Sequence, residues 1–148
     1  MYNRILLPLD GSPLAEQALP HTIAIAERFQ SELILLQVLI PLPRVPTTTD
    51  AAILRAEKAT DVHAREYLES LAVSVEEHGI TVQVITLEGR PHFQILQYAE
   101  TNQADLIVMC SRGQSGLSRW MIGSVADRVM RGADVPVLLV RAQKEETV

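Results

Sequence analysis

Five short apolar runs punctuate the chain, at residues 2–9, 32–38, 81–87, 105–109 and 137–140. Four of them are apolar almost throughout, as expected of strands covered on both faces, and the third alternates. Between the runs, apolar residues recur at helical spacing. Leu14, Ala18, His21, Ile25 and Ala26 mark a helix over residues 13–29. Ile53, Leu54, Val62, Tyr67, Leu68, Leu71 and Val75 mark a long one over 50–78. Phe93, Ile95, Leu96 and Tyr98 mark a third over 91–101, and a fourth runs from about Ser124 to residue 131. The boundaries carry their own chemistry. Ser12 is placed to cap the first helix, with Pro13 at its first position and Glu16 in its first turn. Gly79 closes the long helix, and Pro41, Pro43 and Pro46 exclude regular structure from the connection before it. Strands alternating with helices predict one α/β domain over residues 1–148, a doubly wound parallel sheet with helices on both faces. No internal repeat or linker divides it. The alternation leaves the strand order open. The residues after 141, a charged tail from Gln143 onward, are expected to fray.

Composition removes several classes of function. Of 148 residues, 47% are apolar and 21% charged, which suits a soluble domain with a sizeable core. Aromatic residues are only 4%, so Leu, Val, Ile and Ala must build that core, and no base-stacking platform for nucleic acid is available. The formal charge of −5, without a basic cluster, points the same way. One cysteine excludes an internal disulfide and fits a reducing compartment. Asp10 and Pro8 interrupt the first apolar run, so it does not read as a signal peptide, and no run is long enough to cross a bilayer. A cytoplasmic protein is expected.

The chemistry concentrates at two places. After the fourth run comes Cys110-Ser-Arg-Gly113, then Gly116, then Gly123-Ser124 at a helix start. Glycines allow a backbone to approach a ligand closely, and a helix start offers unpaired N–H groups and a positive dipole end to an anion. Strand, glycine-bearing loop and helix start together form a phosphate-cradling arrangement. It is neither the G-x-G-x-x-G fingerprint nor a P-loop, since no Lys-Ser or Lys-Thr follows a glycine. The second place is the end of the first run, Ile5-Leu-Leu-Pro-Leu-Asp10-Gly-Ser12.

These two segments resemble the universal stress protein family. The opening run matches that family's first strand. Gly113, nine residues, then Gly123-Ser124 match its nucleotide loop, G-x2-G-x9-G-[ST]. The loop's first glycine falls on Cys110, the one departure. The resemblance extends from residue 2 to residue 141 and implies strand order 3-2-1-4-5, which sets the first and fourth strands side by side with a crevice at their carboxyl ends. It further implies an ATP or AMP pocket lined by Pro8, Leu9, Asp10, Val38, Met109, Cys110, Gly113, Gly123, Ser124 and Val125. Val38 and Met109 would flank the adenine, and Asp10 would accept from the ribose. The Gly113, Gly123 and Ser124 amides, with the Ser124 hydroxyl, would hold phosphate. Arg112 and Arg119 could add positive charge, and Mg2+ could arrive with the phosphates. The last strand, with Val135, Val137, Leu138, Leu139 and Val140, is an apolar edge that family members pair with a twofold mate.

Other chemistry has less support. His21, His63, His78 and His92 lack metal-ligand spacing, and Ser111, Ser115 and Ser124 have no histidine in their segment. Cys110 is either a nucleophile activated at a helix start or a small packing residue, and the packing role is favoured. The expected function is that of an adenine-nucleotide-binding, regulatory module. The alternatives are a slow ATPase or nucleotide transferase in the same pocket, and a nucleotide-free dimeric scaffold.

Overall fold

The computed structural model describes residues 1–112 and 121–143. Its elements run β1 (Arg4–Leu9), α1 (Pro13–Glu16), α2 (Leu19–Phe29), β2 (Glu32–Leu39), α3 (Asp50–Glu76), β3 (Val82–Glu88), α4 (Pro91–Thr101), β4 (Leu106–Cys110), α5 (Ser124–Gly132) and β5 (Val137–Val140). The strands form one sheet in the order β3-β2-β1-β4-β5, every pairing parallel. Doubly wound topology and order both agree with expectation.

Alternation along the strands divides the core. Ile5, Leu7 and Leu9 of β1, with Leu33 and Leu35 of β2, face Ala18, Ala26, Leu68 and Val75 from α2, α3 and the turn before α2. Leu6, Ile34, Leu36 and Ile107 face the other way, against Ile95 and Ala99 of α4 and Ala126 and Val129 of α5. Leu6, Leu35 and Ile107 are fully buried, each contributing about 1.5–3 kcal/mol by leaving water.

The helix expected over residues 13–29 is two helices. Pro20 has no N–H to return to the Glu16 carbonyl, so the chain tightens there. Gln17 and Ala18 donate only three residues back, to Leu14 and Ala15 (both 3.2 Å), and regular bonding resumes with Thr22 N–H to Ala18 (3.0 Å). Other boundaries move by a residue or two. β1 begins at Arg4 because the amides of Asn3 and Arg4 are taken by the Asp105 carboxylate, at 2.9 and 3.2 Å. That task places Asp105 ahead of β4, which instead extends through Cys110. Residue 143 is tied down rather than frayed, since the Gln17 side chain exchanges two hydrogen bonds with the Gln143 backbone, at 2.7 and 2.8 Å.

Candidate functional site

The chain adds β2 and β3 on one side of β1, then returns to add β4 and β5 on the other. Such a switch opens a crevice between the carboxyl ends of the two strands where the direction changes. The pairing of β1 with β4 is short, registering only Ile5 with Leu106 and Leu6 with Ile107, whereas β1 pairs with β2 along its whole length. Pro8 reinforces the parting. The Arg4 carbonyl accepts from Asp105, so residues 4, 6 and 8 turn their polar groups toward β4. At residue 8 that side has no N–H to offer.

Asp10 stands at the end of β1, half-buried, and shapes the turn that follows it. Its Oδ1 accepts from the Ser12 amide (2.9 Å) and from the Ser12 hydroxyl (2.5 Å). The Ser12 oxygen in turn accepts from Ala15 N–H (3.2 Å), the expected cap of α1. Gly11 between them has φ +83°, a left-handed conformation that a side chain would strain. The turn therefore presents a fixed carboxylate beside the crevice.

Across the crevice, β4 ends in buried Met109 and Cys110. Cys110 pairs with Val140, has no positive φ, and packs its side chain into the α1–α3 side of the core. Burial pushes its thiol up from the ordinary range, outweighing the amides of Arg112 and Ser111 that act downward. A protonated, buried thiol is a packing group and not an activated nucleophile. The chain returns at Gly123, whose amide donates to the Ser111 carbonyl at 2.7 Å. A Cβ at Gly123 would lie 3.3 Å from that carbonyl oxygen and 3.6 Å from the Arg112 Cα, so close approach, at φ −59°, is what the glycine provides.

One expectation changes here. The Gly123 amide is already bonded to Ser111, so it is not available to a phosphate. Ser124 is the first residue of α5, and Gly123 occupies the cap position and supplies no side-chain bond. The first intrahelical bond of α5 is Asp127 N–H to Gly123 C=O at 2.9 Å. The amides of Ser124, Val125 and Ala126 thus have no intrahelical acceptor, and the Ser124 side chain is exposed beside them. Pro8, Leu9, Asp10, Val38, Met109, Cys110, Ser124 and Val125 all sit at the carboxyl end of the sheet. Arg112 is there too, but buried to 4% exposure, with Nη2 donating to the Ala142 carbonyl at 2.9 Å. Gly113 and Arg119 lie outside the described residues.

Sequence reasoning passed over other polar groups at this end. Gln37 Oε1 and Tyr67 Oη are shielded from solvent without a hydrogen-bond partner among the described residues. Gln37 is the polar residue in the otherwise apolar β2 core, a signal present in the sequence, and its Nε2 is 3.8 Å from where a Gly11 Cβ would stand. Burial pushes the Tyr67 phenol well above its usual range, and the Glu16 and Asp10 carboxylates add to that, although none meets hydrogen-bond geometry with Oη. Among the described residues no group of three or more His, Cys, Asp or Glu side chains could hold a metal, and no helix is long and apolar enough to cross a membrane.

A five-stranded doubly wound sheet with its polar turns gathered at the β1–β4 switch is the architecture of a domain that takes its ligand at the carboxyl ends of the strands. Residues 1–141 match the model of the universal stress protein family, and the chain belongs to that family. It is 35% identical to universal stress protein MJ0531 of Methanocaldococcus jannaschii over 146 residues, 99% of this chain and 86% of that protein. To YxiE of Bacillus subtilis it is 31% identical, covering 95% and 100% of the two chains. Its fold superposes on the solved structure of MJ0577 with a TM-score of 0.87 at 31% identity, over 98% and 99% of the chains. The fold is shared with more distant family structures, one in complex with cAMP (TM-score 0.69, 21% identity) and one from Arabidopsis thaliana with AMP bound (0.71, 17%).

Proposed function

We propose that this chain binds an adenine nucleotide, ATP or AMP, in the crevice between β1 and β4 and acts as a regulatory module in the cytoplasmic stress response. The observation that carries the reading is the convergence of an ordered carboxylate turn and a helix start whose cap residue, Gly123, has no side chain, on the place where the β1–β4 ladder parts. The donor chemistry fits. The amides of Ser124 and Val125, with the Ser124 hydroxyl, meet phosphate oxygens at the positive end of α5. Asp10 accepts from ribose hydroxyls. Val38 and Met109 flank the base, and Pro8, Leu9 and Cys110 close the floor. Gly113 adds its amide, and Mg2+ enters with the phosphates. The cAMP- and AMP-bound relatives support the nucleotide class. Two copies associate through the edge of β5. Mass spectrometry of small molecules released on denaturing freshly purified protein tests the reading. ATP or AMP in near-stoichiometric amount is expected, and their absence, with no binding of added nucleotide, would overturn it.

Cys110 in place of the family's glycine should not close the pocket. Its backbone is extended and its side chain is accommodated in the core, so no left-handed conformation is forced on it. Cys110→Gly should change ATP affinity by less than tenfold, under ~1.4 kcal/mol. Stability should fall by about 0.5–1 kcal/mol or more, because glycine weakens a strand and leaves a small void. Calorimetric titration and denaturant melts of the two proteins read both quantities.

A further inference from the structure

The residues after β5 pass directly over the start of the segment that leads to α5, and they are bonded to it at each step. Ser111 N–H donates to Val140 C=O (2.8 Å), and Ala142 N–H donates to the Ser111 hydroxyl (3.1 Å). The Arg112 guanidinium donates to Ala142 C=O (2.9 Å). On the far side, the Gln17 amide clamps residue 143 through two backbone bonds. Ser111 then passes the constraint on, since its carbonyl holds the Gly123 amide at 2.7 Å. One continuous hydrogen-bonded path therefore runs from Gln17 through residues 142–143 to Ser111 and Arg112, and from there to the cap residue of α5.

We infer that Arg112 is a positioning residue and not a phosphate ligand, and that with Gln17 it holds residues 141–143 as a strap that fixes the N-terminus of α5 where phosphate is received. Its burial argues for this role. A guanidinium reaching for a ligand's phosphates would be expected to stay in the open crevice, whereas this one is 4% exposed and donates to a backbone carbonyl. Buried Ala142 is the strap's apolar anchor in the α1–α3 side of the core. The inference rests on the nucleotide reading for its ligand, but the strap itself can be observed without one.

Two measurements separate the claims. In nucleotide-free full-length protein, hydrogen exchange at the Gly123 amide should speed up by about tenfold or more in Gln17→Ala and in Arg112→Ala. Exchange at Leu35, in the sheet core, should not change. Because both variants release the same strap, the double variant should be little faster than either alone. Calorimetric titration with ATP should show the same pattern, with each single variant weakening binding by about tenfold and the double falling well short of the product. Gly123 exchange unchanged in Gln17→Ala would overturn the strap, as would strictly multiplicative losses of affinity, which a direct phosphate contact by Arg112 predicts. If Arg112→Ala does not fold, Gln17→Ala decides through exchange alone. Failure of the natural chain to bind ATP would sink the nucleotide proposal while the exchange result still judged the strap.

Discussion

Titration of Gly123→Asp with ATP should give no heat of binding at concentrations that saturate the natural chain, while the variant melts at nearly the same temperature. The two effects come from the same atoms. Gly123 caps α5, and an aspartate is among the better caps, slightly better than glycine there. That gain offsets part of the crowding of a new Cβ at 3.3 Å from the Ser111 carbonyl, where the backbone would have to give by a few tenths of an ångström. The carboxylate, however, would accept from the α5 amides proposed to receive phosphate. It would also place a negative charge about 4 Å from another, a repulsion of about 4 kcal/mol at an effective dielectric of about 20. That corresponds to roughly a thousandfold in affinity. Loss of binding together with unfolding would not support the account; loss of binding in a folded protein would.

The second large effect concerns association. β5 is a sheet edge, bonded to β4 on one side only, and Leu138 on it is 38% exposed. An apolar edge of this kind is a template for pairing with another strand. In the proposed twofold dimer each copy buries its Leu138, and symmetry counts the contribution twice. With each leucine only 38% exposed in the protomer, about that share of the ~1.5–3 kcal/mol of full burial is left to gain, so removal from both copies costs ~1–2 kcal/mol before the repulsion of two introduced lysines is added. Leu138→Lys should therefore raise the dimer dissociation constant about tenfold or more. Sedimentation at micromolar concentration should show a dimer for the natural chain and a monomer for the variant. A natural chain that sediments as a monomer would remove the dimer from the account.

Much of this was legible in the sequence because the signals were local. Apolar runs separated by helical stripes specified the layers, and glycine and proline marked most of their ends. Strand order was not local information; it came through the resemblance carried by Asp10-Gly11-Ser12 and Gly123-Ser124. What stayed hidden depends on contacts between distant residues. Nothing in the sequence joins Gln17 to Gln143, 126 positions apart, or Arg112 to Ala142, 30 apart. The Gly123 amide reads as a free donor until the fold brings it onto Ser111. The break between α1 and α2 was local, in Pro20, but the apolar periodicity runs through it and conceals it. Gln37 is a visible polar residue between Leu36 and Val38, but only the structure shows its Nε2 beside Gly11 and its Oε1 shielded from solvent with no hydrogen-bond partner among the described residues.

The central claim is that an adenine nucleotide sits where β1 and β4 part. Backbone amide spectra of isotopically labelled, nucleotide-free protein, recorded through a titration with ATP, test it residue by residue. The account predicts large shifts at Asp10, Gly11, Val38, Cys110, Ser124 and Val125, and little change at Thr81 or Glu32 at the opposite end of the sheet. Saturable shifts confined to other residues, or none at millimolar ATP, would contradict it.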